Sequence, residues 1–231
     1  MLALGIDTST SQGSVGLSDD RGPIAQIELN STSNHVERLL PAVQSLLSGA
    51  GLRMDELDLI AVATGPGSFT GVRIGMATGK GLAFAAQRPL AGFSTLETMA
   101  LAASLTIPDM ASIPLCVVLR AGRGELYRGL FGCEEDRVIP LVPEAALSPA
   151  KAVEGLPAQC GLIGDGVDAC MSELGTRVPS GWILHPATPA IGSTLARRAI
   201  GAATRHGLQG FPVLLPNYLR LCDAEIQFKP S

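Results

Sequence analysis

Aromatic residues are scarce. Only 4% of the 231 residues are Phe, Trp or Tyr, which excludes a surface built of stacking platforms for bases. Cationic excess is missing as well: Lys and Arg number 17 against 21 Asp and Glu, a formal net charge of -4, so no broad basic face for unaided nucleic-acid binding is expected. Cys116, Cys133, Cys160, Cys170 and Cys222 are odd in number and contain no C-x-x-C pair, which argues against a disulfide framework or zinc knuckle and leaves buried thiols. No apolar run approaches the roughly 18 residues of a membrane helix. The stretch Met1 to Asp7 has no basic leader, and the expectation is a cytoplasmic chain without membrane contact.

What is abundant is apolar and small. Hydrophobic residues make up 46% and charged ones 16%, a balance that excludes disorder. The 27 Gly and 16 Pro point to close packing and many tight turns. The length suits one large domain or two lobes.

Leu2 to Asp7, Ser14 to Ser18 and Ile24 to Asn30 read as a β-meander. Val36, Leu39, Leu40, Val43, Leu46 and Leu47 then recur at helical spacing, with Asn34 and Glu37 as a capping box. Leu57 to Ala63 reads as a strand buried on both faces. The loop Gly65 to Gly71 and a helix from Val72 to Gln87 follow, then a strand Leu90 to Phe93 and a helix capped by Ser94. Thr106 to Asp109 breaks the pattern, dividing the chain into lobes 1–106 and 107–231. The second lobe again opens on strands, Leu115 to Leu119 and Glu125 to Phe131, and ends in a long helix begun by Thr188 and Pro189. The expected class is α/β, with one topology used twice.

No residue announces catalysis: the chain has no G-x-S-x-G, no H-x-x-x-H and no P-loop. The loop before the second helix fits either a phosphate cradle or a structural turn. Asp7, Thr8, Ser9 and Thr10 at the end of the first strand fit either nucleotide binding or satisfaction of a turn. Gly71, Gly75 and Gly79 are spaced by four, so they share one helix face. That face fits a partner helix or close packing on the chain's own sheet.

Ile6-Asp7-Thr8-Ser9-Thr10, His35 to Pro41, Gly65-Pro66-Gly67-Ser68-Phe69-Thr70-Gly71-Val72-Arg73-Ile74-Gly75, Ser94 to Glu97, Gly124-Glu125-Leu126-Tyr127 and Pro216 to Arg220 together resemble the TsaB family, also called YeaZ. The resemblance implies a duplicated actin-like ATPase fold. It implies a non-catalytic scaffold subunit that binds a TsaD-type transferase, with a TsaE-type ATPase joining the pair, to support threonylcarbamoyladenosine modification of tRNA. By the same resemblance tRNA is reached only through the complex, and a homodimer uses the same surface. No cofactor is bound tightly, and ATP or ADP has its place at the partner interface. Metal-binding paralogues carry several histidines where this chain has only His35 and none between Gly92 and Met99. Ser9 stands where actin-like kinases place a glycine. The competing reading is an actin-like ATP-dependent kinase or a glycoprotease-like metallopeptidase. The resemblance assigns the glycine face to the partner, making His35, Leu39, Val43, Gly71, Arg73, Gly75 and Gly79 the expected interface, so that Gly75→Leu is expected to abolish partner binding and spare the fold. Arg120-Ala121-Gly122-Arg123 departs from the Asp-Ala-Arg run of many members.

Overall fold

Strand β1 (Leu2–Asp7) is buried along nearly its whole length, as an unbroken apolar run requires. It pairs antiparallel with β2 (Gln12–Asp19), which pairs antiparallel with β3 (Gly22–Asn30). On its other side β1 runs parallel to β4 (Leu59–Ala63), and β4 to β5 (Leu90–Phe93). In the computed structural model, residues 1–30, 35–134, 137–208 and 214–220 are described, the side chains of 30, 35 and 36 excepted. Asn34, the expected helix cap, and the side chain of His35 lie outside them.

The first sheet has the order β3-β2-β1-β4-β5. The second is built from β6 (Leu115–Gly122), β7 (Glu125–Glu134), β8 (Arg137–Leu147), β9 (Cys160–Ile163) and β10 (Trp182–His185). Its order, β8-β7-β6-β9-β10, repeats the first with every strand advanced by five. Helices follow the same repeat. In the first half α1 (His35–Gly49), α2 (Phe69–Ala86) and α3 (Thr95–Thr106) occupy the places taken in the second by α4 (Pro149–Val153), α5 (Val167–Leu174) and α6 (Gly192–His206). This is the duplicated actin-like architecture.

Each sheet lies on its own side of residue 106, but the last helix of each half crosses over. Helix α6 packs on β1, β2 and β3, while α3 packs on β6, β7 and β8. One apolar core, including Leu59, Leu96, Met99, Val117, Phe131 and Leu195, therefore spans both halves. Separate cores fill the outer layers, one under α1 and α2 and one under α4 and α5. Apolar burial of this kind contributes roughly 25 cal/mol per Å², and the shared core ties the halves together.

The seat of α6 has a specific chemistry. A Cβ on Gly5 would stand 2.0 Å from the Gly192 carbonyl oxygen, and one on Gly16 2.1 Å from the Ser193 nitrogen, so only hydrogen lets the helix start this close to the sheet. Ser14 Oγ in β2 accepts from the N–H groups of Ile191 and Gly192 at 3.1 and 2.9 Å. The long helix therefore begins at Gly192 rather than Thr188, because its cap is a serine from a distant strand and not the local Thr-Pro pair. Helix α5 and strand β10 were also not expected from the sequence. They are short, and Gly164 and Gly166 before α5 read as loop. Helix α2 starts at Phe69, three residues before the expected Val72, since Ser68 Oγ accepts from the Gly71 N–H.

Ser14→Ala leaves two buried N–H groups without their acceptor and is expected to cost about 2 kcal/mol. Urea unfolding of the variant beside the parent measures it.

Candidate functional site

Asp7, Thr8 and Ser9 leave the end of β1 fully inside the protein. Asp7 Oδ1 accepts from the Ser9 N–H and Oγ at 2.8 and 2.6 Å, the local turn expected of an Asp at such a place. Thr8 Oγ1 donates to the Gly71 carbonyl at 2.7 Å. The Ser9 carbonyl accepts from the Ser68 N–H at 2.7 Å, and a Cβ on Gly67 would lie 2.2 Å from that same oxygen. The strand-end loop and the glycine loop are thus fastened to each other. The N–H groups of Ser68 and Gly71, which a phosphate cradle needs free, are already bonded.

The glycine face of α2 is turned inward, which corrects the interface expectation. A Cβ on Gly71 would stand 2.0 Å from the Thr8 carbonyl oxygen, on Gly75 2.5 Å from Thr8 Oγ1, and on Gly79 2.3 Å from a Val62 methyl. These glycines let α2 lie against β1 and β4. Leu39 and Val43 are likewise 1% and 2% exposed in the core beneath α1, because they belong to the apolar stripe that holds that helix on the sheet. Of the residues expected at the interface, Arg73 is exposed.

A cleft of about 520 Å³ opens between the halves. Ser9, Thr10 and Ser11 line it from the first half, as do Gly67, Ser68 and Phe69 of the glycine loop; Asp7 and Thr8 do not reach it. Across it stand Arg120, Tyr127 and Asp165, with Tyr218 and Arg220 from the chain's last described segment. Arg120 donates its backbone N–H to Asp165 Oδ1 at 2.8 Å and its Nε to the Asp165 carbonyl at 3.0 Å. The run that departs from Asp-Ala-Arg therefore meets a carboxylate brought by the turn after β9. Arg73 lies 3.7 Å from the centre of the Phe69 ring and donates to the Tyr218 hydroxyl at 2.9 Å. The Phe69 and Tyr218 rings are 5.1 Å apart, forming an aromatic edge clamped by one guanidinium. Hydroxyls, this edge and two arginines line the cleft, Arg120 engaged by Asp165 and Arg220 paired with Glu125 at 3.4 Å. No group of three or more His, Cys, Asp or Glu among the described residues is placed to hold a metal ion.

The segment carrying Tyr218 is strapped over both halves. Its Asn217 N–H donates to the Thr64 carbonyl at 2.7 Å, and Asn217 Nδ2 donates to Glu144 Oε2 at 2.9 Å. The other Glu144 oxygen accepts from Ser94 Oγ. Burial pushes the Glu144 carboxyl above the ordinary carboxylate value, and the neighbouring Glu97 adds to this, against the opposing hydrogen bonds from Ser94 and Asn217. Sequence reading missed Asp165, Arg220, Tyr218 and Glu144 as one group, since each looks like an isolated surface residue. The proline-asparagine-tyrosine run was the available signal.

A family model described as TsaD, tRNA N6-adenosine threonylcarbamoyltransferase, matches residues 25–179. The tRNA threonylcarbamoyladenosine biosynthesis protein TsaB of Bacillus subtilis is 33% identical over 239 residues, covering 100% of this chain and 99% of that protein. The chain belongs to the TsaB family. The Escherichia coli TsaB is 45% identical over 100 residues, 43% of each chain. The solved structure of YeaZ from Pseudomonas aeruginosa superposes with a TM-score of 0.78 at 29% identity, over 94% of this chain and 99% of that one. The TsaB resemblance and the twofold topology read from the sequence thus agree.

Two outcomes follow for this site. Gly75→Leu is expected to lose roughly 3 kcal/mol of stability by overpacking, read as a lowered thermal midpoint, which reverses the outcome expected from the sequence. For Glu144 the folded state holds its proton more tightly than the unfolded chain, so stability falls as pH rises from the ordinary carboxylate value through the raised one and levels off above it. Glu144→Gln is expected to melt higher than the parent at pH 7.5, with the advantage vanishing towards pH 4. Melting curves across that range measure it.

Proposed function

We propose that this chain takes part in threonylcarbamoyladenosine formation on tRNA as a non-catalytic subunit that docks a TsaD-type transferase on the outer face of α1 and α2. The observation that carries this is apolar exposure. Phe84 on α2 is 87% exposed and Leu40 on α1 is 53% exposed, on the sides of these helices turned away from the sheet. Ala77 and Gly81 are exposed on α2, and a Cβ on Gly81 would meet nothing within 4 Å. With Arg73 and Phe84 they form a stripe at helical spacing, smooth enough for another helix to approach. The partner interface is thus assigned to the same two helices as before but to their outward residues.

The match of residues 25–179 to the transferase family model supports a partner of the same fold, which can meet this chain through an equivalent face in pseudo-twofold fashion. The non-catalytic part of the reading is supported by a cleft whose glycine loop has two of its N–H groups, those of Ser68 and Gly71, bonded to Ser9 and Ser68. In this reading ATP or ADP enters the assembly at the partner face and is not held tightly by this chain alone, and a TsaE-type ATPase joins the pair.

Size-exclusion chromatography with light scattering tests it, using this chain alone, with the transferase of the same host, and with ATP added. The expected result is a one-to-one complex. Phe84→Asp is expected to weaken it at least tenfold while the unfolding free energy stays within about 0.5 kcal/mol of the parent. A lone species under all three conditions overturns the reading and favours the kinase or peptidase alternative.

A further inference from the structure

A second pocket, of about 480 Å³, is lined by Arg21, Arg137, Arg197, Arg198 and Arg205 together with His206, against two carboxylates, Asp19 and Asp20. These five arginines belong to a chain with only 17 Lys and Arg in all and a net charge of -4. Both carboxylates are paired, one of them with a pocket arginine, which leaves the arginines in excess. Asp20 pairs with the Met1 amino group and Asp19 with Arg21 at 2.9 Å. Arg198 is fixed in place, bonded to Glu97 and to Thr98 Oγ1 at 2.7 Å each and lying 4.7 Å from the Phe93 ring centre. Arg137 and Arg205 are exposed, and neither forms an ion pair with any described residue.

Arg205 and His206 in the last turn of α6 complement the negative end of that helix. That role does not extend to Arg137, which comes from β8 of the other sheet and lines the same space. Nor does it account for Gly201. A glycine inside a helix is unfavourable, and here a Cβ would meet only the Arg205 guanidinium, at 3.4 Å. Unlike Gly71 of α2, it admits no neighbouring backbone. Its effect is to leave room in the pocket between Arg197, Arg198 and Arg205, with which it shares a helix face.

We propose that this pocket binds a phosphate group, carried by an RNA backbone or by a free nucleotide, with Arg137 and Arg205 as its ligating cations. Guanidinium groups suit this task because their planar forks match two phosphate oxygens at once. Arg198, held rigid by Glu97 and Phe93, supplies fixed positive charge at the wall. The site stands on its own geometry and does not depend on transferase docking.

The test uses the full chain with two probes, a fluorescently labelled tRNA transcript and sodium tripolyphosphate, titrated at several salt concentrations. The parent is compared with the double variant Arg137→Gln, Arg205→Gln and with Gly201→Leu, which fills the pocket and keeps its charges. The double variant is expected to bind about tenfold more weakly, with the slope of log K against log salt reduced by about 2. Gly201→Leu is expected to weaken binding as well, and all three proteins are expected to melt alike. Saturable tRNA binding that the double variant weakens, with tripolyphosphate binding and displacing it only weakly, identifies an RNA backbone as the source, whereas tRNA binding that excess tripolyphosphate and the variants leave untouched lies outside the pocket and overturns the proposal. Tripolyphosphate binding without tRNA binding identifies a free polyphosphate or nucleotide. Absence of saturable binding by both probes overturns the proposal, as does binding that the variants leave unchanged.

Discussion

The start of α6 against β1 and β2 is the contact on which the rest of the molecule depends. Gly5, Gly16 and Gly192 bring helix and sheet backbones together, and Ser14 in β2 takes over the capping that the helix cannot supply itself. Ser18 adds a bond to the Ser193 carbonyl at 2.8 Å, and Gln26 accepts from Ser193. With α6 seated on the first sheet, its other face is free to meet α3, whose own sheet-facing side serves the second half. The two halves thereby exchange their last helices. Each sheet is covered on its inner face by the other half's last helix.

Polar bridges then set the details. Arg198 on α6 reaches Glu97 and Thr98 on α3, while Ser94, which caps α3, reaches Glu144 of β8. Glu144 in turn holds Asn217, and so places Tyr218 beside Phe69 and Arg73 at the mouth of the cleft. Each bond satisfies a group that burial would otherwise penalise, and together they carry the position of α6 to the cleft.

The glycines of this chain show why composition does not reveal use. Gly71, Gly75 and Gly79 admit the Thr8 backbone and side chain and the Val62 methyl; Gly81 and Gly201 admit no backbone at all. In the sequence they look alike, five small residues on two helices. The first three serve internal packing, which leaves the opposite side of α2, with the exposed Phe84, as the surface we propose for docking.

The meander, the buried strand at Leu59–Ala63, the capped helices and their repetition were legible in the sequence because they rest on local periodicity and on capping residues a few positions apart. The family, too, was legible from short runs such as Gly65 to Gly75. What tertiary structure alone decided joins residues far apart: Ser14 to Gly192 across 178 positions, Arg73 to Tyr218 across 145, and Glu144 to Asn217 across 73. Such pairs leave no spacing to read in one chain, since nothing local constrains either member. Which side of α2 faces water was decided in the same way, by the Thr8 and Val62 atoms that meet it once the sheet has formed.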